Sequence, residues 1–590
     1  MKVVVVGGVA GGMSAAARLR RLDEHADILV LERDDYVSFA NCGLPYHIGG
    51  DIPDRDALLL QDPRSLRESL DLDVRTGHEV LGIDREAHTV TVHERDSGRE
   101  YTEEYDHLIL ATGASPIRPP LEGIDNDRVR VLRNVPDMDA IIGILDEESD
   151  APSDDERTAV VIGGGYIGLE MVEALRHRGL RVTLVEALDQ VMTALDREMA
   201  RHLEDHLIDH GVEVVLGRRA ESFRDDDDRV VVVLDGGTEH PADLVVLAVG
   251  VRPESSLARS AGLDVSERGA VIVDDQMRTS DPAIFAVGDS VQVKDTVTGE
   301  PTIVPLAGPA NRQGRIAADV ISGRDARYRS TQGTGIVKVF DLTAAMTGAT
   351  ERMLTSLGRS YQKVHVHPNG HASYYPGTHA MHLKVLFDAE DGRLLGAQAV
   401  GVDGVDKRID VLAVAIRAGM TIEDLEHLEL AYAPPYGSAK DPVNMAGFVG
   451  GNMRRGDVGL WYAEEWPNLP ADAVILDVRS RSEHEAWAIP GSLLIPHKEL
   501  RQRLDEIPPG RPVYVYCRSG FRSYLAQRIL AQSGWPDART LAGGELTFRT
   551  VHDDGSAGWV QYPVVSYAED ELAERHQGKR GGDALTGTAR

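Results

Sequence analysis

At 590 residues, 42% of them apolar, and with a net charge of -32, the chain is too long for one hydrophobic core and too acidic to favour nucleic acid, whose phosphates it would repel. No stretch approaches the ~18 consecutive apolar residues of a membrane span, and Met1 runs straight into KVVVVGG, so no membrane contact and a cytoplasmic location are expected. Only 9 of the 63 basic residues are Lys, and such an acid-rich, Lys-poor composition fits a halophilic surface, where salt screens the self-repulsion.

In chain order, the first predicted unit is a strand, a glycine turn and a helix, KVVVVGGVAGGMSAAARLRRL, followed by a strand ending at Glu32 in ADILVLE. SFANCGLPY then carries Cys42, one of only two cysteines, and YDHLILATGASP closes a strand on Thr112-Gly113. The opening pattern returns in TAVVIGGGYIGLEMVEALRHRG, whose next strand, RVTLVE, ends at Glu186. Further strands close on Gly250 in DLVVLAVGVRP and on Gly288-Asp289 in AIFAVGDS. Residues 326–448 mix strands with a helix around KRIDVLAVAIRAG, and GFVGGNMRRGD reads as a linker over 449–462. A separate α/β pattern, VILDVRS to VYVYCRSGFRSYLAQRIL, occupies 463–565, before a tail at 566–590.

A dinucleotide site needs glycines because the backbone must turn tightly and approach a pyrophosphate lying at the positive end of a helix. Gly163, Gly165 and Gly168 complete G-x-G-x-x-G. Glu186 follows Gly163 by 23 residues, near the ~20 expected of a carboxylate on a ribose 2′-hydroxyl. With no Arg or Lys in the Glu186–Asp189 segment to meet a 2′-phosphate, NADH is the expected reductant and NADPH the alternative. The first turn, Gly7, Gly8, Val9, Ala10, Gly11 and Gly12, has Val at the middle glycine position. Two such turns in one chain indicate a flavin enzyme fed by a nicotinamide.

On these motifs the N-terminal ~448 residues resemble the pyridine nucleotide-disulfide oxidoreductases. The resemblance implies an α/β fold with two Rossmann-like dinucleotide domains: FAD on 1–115 and 241–325, NAD(P)H on 116–240, and an α+β dimerisation domain over 326–448. It places FAD against Gly7, Gly8, Ala10, Gly11, Glu32, Arg33, Ser38, Asn41, Thr112, Gly113, Asp289 and Ala307, and NADH against the second turn and Gly250. Within this family SFANCGLPY resembles the branch that works with one cysteine: coenzyme A disulfide reductases, NADH oxidases and NADH peroxidases. A thiolate at a helix start beside a flavin is expected to have a depressed pKa. The second sulfur must come from outside: coenzyme A in the reductases, whereas the oxidases and peroxidases cycle the cysteine through a sulfenic acid. Those latter branches carry a His in the first turn, where this chain has Ala10. SYYPG and AYAPPYGSAKDPVN resemble the coenzyme A branch and offer Tyr374 and Tyr432, acting across a homodimer interface as proton donors. Coenzyme A phosphates call for cations, with Arg21 first, then Arg18, and Arg64 and Arg67 behind them; Ser38 and Asn41 flank the thiol.

The second cysteine, Cys517, follows the strand PVYVY and opens the loop Cys517, Arg518, Ser519, Gly520, Phe521, Arg522 before a helix. Successive backbone N–H groups there form an anion nest in which a thiol should ionise easily. With LDVRS (Asp477, Arg479) and AIPGS, this region resembles a rhodanese domain, which implies a persulfide carried on Cys517 and an anionic donor held by Arg518 and Arg522. A flavin reductase fused to a sulfur carrier resembles the polysulfide or coenzyme A persulfide reductases. The alternatives are a coenzyme A disulfide reductase with an accessory or docking rhodanese module, and an NADH oxidase or peroxidase. No metal is expected.

Overall fold

The computed structural model describes residues 1–147 and 157–552, so the tail expected at 566–590 and the end of the rhodanese-like segment lie outside the described residues. The described chain forms two compact units: Met1–Thr193 with Glu204–Gly335, and Ala194–Leu203 with the residues from Ile336 onward. No helix among the described residues is long and apolar enough to cross a membrane.

The first unit holds the same architecture twice. Its first parallel sheet runs Ile284–Ala286, His107–Leu110, Lys2–Val6, Asp27–Leu31, Asp73–Arg75; its second runs Glu213–Leu216, Arg181–Glu186, Thr158–Ile162, Leu244–Leu247, Val129–Arg130. In both, the strand leading into the glycine turn is central and the strand ending on the acid lies beside it. Central strands buried on both faces read as unbroken apolar runs, and Val3, Val4 and Val5 are fully buried. Each half also carries a three-stranded antiparallel appendage, His78–Asp84 to Arg99–Glu104 and Ala220–Asp226 to Glu239–Ala242. The chain returns to the first half later than the boundary expected at 241, because Leu244–Leu247 pairs inside the second sheet.

In the second unit, a five-stranded sheet ordered Gly335–Val339, Leu342–Gly348, Leu394–Gly401, Met381–Asp388, Tyr361–Val366 has the helix Val405–Ala418 packed on it. At its centre Lys384 is completely buried among three carboxylates, Asp196 at 2.7 Å and, closer, Glu198 and Glu351. Lys363 joins Glu351 to Glu464, at 2.9 Å from each. The parallel sheet of the C-terminal α/β segment runs Gly459–Trp461, Arg539–Leu541, Val513–Tyr516, Val474–Asp477, Leu493–Leu494. The segment read as a linker at 449–462 is mostly ordered: the helix Pro442–Arg454 runs through residue 449, and Gly459–Trp461 is already an edge strand of the last sheet.

Candidate active site

In the first turn Gly7 has φ +105°, and a Cβ on Gly12 would lie 1.9 Å from the Gly7 carbonyl oxygen, so the backbone leaves no room for a side chain there. Gly163 and Gly168 repeat the arrangement with φ +112° and the same 1.9 Å clash, while Gly165 faces open space. The two acids behave alike. Glu32 accepts the Gly8 N–H at 2.7 Å and the Asp34 N–H at 3.0 Å; Glu186 accepts the Gly164 N–H at 2.7 Å and the Leu188 N–H at 2.9 Å. Burial pushes the Glu32 carboxyl up. Each carboxylate therefore stands at its glycine turn, as a group that binds adenosine ribose must.

The remaining expected flavin contacts surround the first turn. Ala10 opens the helix Ala10–Leu22, and Gly11 within it approaches Val287 so closely that a Cβ would meet its side chain at 3.0 Å. That contact sets the short turn Gly288–Ser290, with Asp289, beside the first turn, and the Gly288 N–H donates to Gln313 at 2.7 Å. Ala307 begins the helix Ala307–Ile321, which packs along Ala10–Leu22. Thr112 donates to the Glu254 carbonyl at 2.5 Å, and Gly113 (φ +69°) takes left-handed backbone; so does Gly250 (φ +104°), which was expected at NADH and follows the strand Leu244–Leu247 of the second sheet. Arg33 is half-buried beside Glu32. Burial pushes the Asp289 carboxyl up to about 6 against the pull of Arg133, and no hydrogen bond to it forms among the described residues. A carboxyl left in that condition suits a hydroxylated ligand, so the donor set fits FAD at the first turn.

Cys42 is exposed, on the short turn Asn41–Gly43 that leads into the helix Leu44–Gly49. Ser38, four residues earlier, has φ +49°, a strained value for a non-glycine residue, and its N–H donates to the Gly8 carbonyl at 2.8 Å. Asn41 is exposed beside the thiol. The depressed pKa expected at Cys42 is not what its protein surroundings produce: desolvation, then Glu170 and Asp289, push the thiol up. The sequence reading missed Glu170 and Tyr46. The helix Leu44–Gly49 packs on Tyr166–His177 so tightly that a Cβ on Gly49 would lie 3.0 Å from the Ala174 Cα, and Tyr46 then donates to Glu170 at 3.2 Å. Burial pushes the Glu170 carboxyl up to about 7, so it can hold or release a proton near neutrality beside the thiol. The one available signal was spacing: Glu170 stands one helical turn after Tyr166, on the helix that opens from the second glycine turn.

The structure separates the basic candidates. Arg18 pairs with Asp319 at 2.8 Å, and Arg67, whose side chain stays largely exposed, pairs with Asp73 at 2.9 Å. Arg21 and Arg64 are exposed and make no ion pair among the described residues. In the second unit the Tyr374 and Tyr432 hydroxyls meet at 2.9 Å, with the rings 67% and 49% exposed, so the two motifs converge on one solvent-facing phenol pair.

The Cys517 loop joins the strand Val513–Tyr516 to the helix Phe521–Ala531. Cys517 is buried, and its Sγ accepts the Gly520 N–H at 3.2 Å. The helix Gly544–His552 fixes the loop from behind, Glu545 N–H donating to the Cys517 carbonyl at 2.8 Å and Leu546 N–H to that of Arg518 at 3.0 Å. Asp477 and Arg479 form the buried wall: Asp477 accepts from Arg479 and Tyr516, each at 2.8 Å, and Arg479 reaches Glu545 at 2.6 Å. Arg518 makes no ion pair among the described residues. Arg522, expected to hold a donor anion, instead places both terminal nitrogens on Glu483, at 2.7 and 2.5 Å.

Residues 1–314 match the model for the pyridine nucleotide-disulphide oxidoreductases, 334–441 that for their dimerisation domain, and 463–548 the rhodanese-like domain. A coenzyme A disulfide reductase of Staphylococcus haemolyticus (strain JCSC1435) is 38% identical over 448 residues, covering 76% of this chain and 98% of its own. Among solved structures, reduced Bacillus anthracis CoADR-RHD superposes with a TM-score of 0.90 at 46% identity, over 93% of this chain and 98% of that one. A NAD-dependent persulfide reductase from A. fulgidus gives 0.87 at 42% identity, over 93% and 100%.

Proposed function

The chain belongs to the pyridine nucleotide-disulphide oxidoreductases, and on that premise we propose that it uses NADH to reduce coenzyme A disulfide and coenzyme A persulfide or polysulfide through Cys42, with Cys517 carrying sulfane sulfur. The observation that carries the reading is the exposed Cys42 in a chain whose one other thiol, Cys517, is buried in its own loop. A disulfide at Cys42 must then take its second sulfur from a small molecule. Family membership implies FAD and NAD(P)H, and the names of the relatives support coenzyme A as substrate.

FAD, held at the first turn with Glu32 and Asp289, would supply the electron pair from NADH that splits the disulfide at Cys42. The chain's own residues do the rest. The Cys42 thiolate attacks the inner sulfur of a coenzyme A persulfide; a Cys42–coenzyme A disulfide forms, the donor S–S bond breaks and HS⁻ leaves. With coenzyme A disulfide the leaving group is the coenzyme A thiolate. Because its surroundings push the Cys42 thiol up, a proton acceptor is needed to ready it, and Glu170, with its carboxyl at about 7, stands beside it. Tyr374 and Tyr432 of the partner subunit in a homodimer serve as proton donors to the departing thiolate, and exposed Arg21, with Ser38 and Asn41, receives the coenzyme A moiety. Ala10, which has no group to handle a peroxide proton, favours this reading over an oxidase or peroxidase.

The test is NADH turnover with coenzyme A disulfide, coenzyme A persulfide, polysulfide, oxygen and peroxide as separate acceptors. The sulfur acceptors should dominate, and Cys517→Ser should lose polysulfide turnover while retaining that with coenzyme A disulfide. Dominant oxygen or peroxide turnover refutes the reading; unchanged polysulfide turnover in Cys517→Ser leaves the rhodanese module as an accessory. Glu186→Ala should raise KM for NADH by a factor equivalent to about 1–2 kcal/mol, the scale of a charge-assisted hydrogen bond, and narrow the preference over NADPH. Steady-state kinetics with both nucleotides check it, and a wild type that already prefers NADPH contradicts the role of Glu186.

A further inference from the structure

The carrier loop is not the cation-rich cradle its sequence suggests. Of its two arginines, Arg522 is engaged by Glu483 through both terminal nitrogens, so its charge is matched in place. Glu483 is itself fixed, because it completes a capping box with Ser480, accepting the Ser480 N–H at 2.8 Å and hydroxyl at 2.9 Å. Burial opposes its charge, but the hydrogen bonds and charge of Arg522 hold the carboxyl at about 2, so it is ionised at any working pH. Arg479, behind the loop, is balanced by Asp477 and Glu545. Among the described residues, Arg518 is the one loop cation that makes no ion pair with a carboxylate. The helix that follows exposes two large apolar side chains one turn apart, Phe521 at 63% and Leu525 at 38%.

We propose that Glu483 sets the donor specificity of the Cys517 loop, making dianionic thiosulfate a poorer donor than organic persulfides that carry one charge and an apolar arm. This rests on the reading of Cys517 as a sulfur carrier. With a persulfide RS–SH, the Cys517 thiolate attacks the outer sulfur. A new S–S bond forms, the donor S–S bond breaks, and its electron pair leaves with RS⁻, a monoanion. With thiosulfate the same attack expels sulfite, a dianion, so two negative charges must be accommodated before and after transfer. A single unmatched arginine, with a fixed carboxylate beside the second, serves the monoanion better than the dianion. Phe521 and Leu525 give the uncharged arm of an organic donor a surface on which to lie.

The experiment is single-turnover loading of Cys517 in the reduced full-length holoenzyme. Thiosulfate and pantetheine persulfide are the donors, and the gain of one sulfur atom on the Cys517 peptide is read by mass spectrometry. Wild type should load faster from pantetheine persulfide. Glu483→Gln keeps the capping box, which accepts Gln, but removes the negative charge that stands beside Arg522. It should load from thiosulfate about tenfold faster, the effect of removing one unit charge from beside a dianion in a partly screened site, and stay within about threefold on the persulfide. Arg522→Gln, which leaves Glu483 unmatched, should move the thiosulfate rate the other way. Flavin absorbance and tryptophan fluorescence matching wild type establish that the variants are folded. A thiosulfate rate unchanged in Glu483→Gln, or a wild type that favours thiosulfate, overturns the proposal. Absence of loading from either donor in wild type overturns the carrier role itself and with it this inference.

Discussion

Cys42→Ser should bind FAD with a normal absorbance spectrum yet lose NADH-dependent reduction of both coenzyme A disulfide and coenzyme A persulfide, by on the order of a thousandfold or more in kcat/KM. The flavin turn and its acids do not use the Cys42 side chain, which is exposed, so the substitution should leave cofactor content intact. A serine oxygen cannot form the disulfide that holds coenzyme A between half-reactions, so what disappears is the chemistry and not a contact. Flavin absorbance with steady-state rates on the purified variant checks both halves of the statement. Retained turnover with either substrate would mean that sulfur reaches the flavin without Cys42.

Lys384→Met should destabilise the second unit by about 3–5 kcal/mol, the cost of removing one partner from a buried ionic cluster. Three carboxylates face that ammonium: Asp196, Glu198 and Glu351. Burial works against the charge on Glu351, but Lys384 and Lys363 together outweigh it and hold the carboxyl at about 2. Asp196 differs: its burial outweighs the lysine and pushes it up. Because the Glu351 carboxyl is lowered on folding, its contribution is full above the ordinary carboxylate range and fades as pH falls toward about 2. All five tryptophans lie at or beyond Trp461, so urea unfolding followed by tryptophan fluorescence reports on this unit directly. A midpoint within experimental error of wild type would show that the lysine does not hold the cluster together.

Sequence legibility followed distance along the chain. The two glycine turns, their acids Glu32 and Glu186, Cys42 and the Cys517 loop are local patterns in which the residues that act together are close in sequence or set at a known spacing. The features missed are pairings over long separations, which only the fold creates. Tyr46 meets Glu170 across 124 positions, Arg522 meets Glu483 across 39, and Arg18 meets Asp319 across 301. Each pairing adds to what the motifs show: Glu170 places a titratable carboxyl at the thiol, Glu483 pairs with Arg522, and Asp319 pairs with Arg18. The segment GFVGGNMRRGD misled for a different reason. Its glycines looked like flexibility, but a Cβ on Gly447 would meet the Glu426 N at 2.7 Å and one on Gly450 the Ile422 side chain at 2.2 Å. They are small so that the helix Pro442–Arg454 can press against the turn that precedes it, a packing demand that composition cannot distinguish from a linker.

The central claim is that the missing half of the redox disulfide is coenzyme A. Intact-mass spectrometry of the oxidised, full-length protein before and after mild reduction with dithiothreitol tests it most directly. The oxidised chain should carry one coenzyme A, released on reduction, localised to the Cys42 peptide and absent from Cys42→Ser. A chain whose mass does not change on reduction, or whose adduct sits on Cys517, would contradict the single-thiol mechanism.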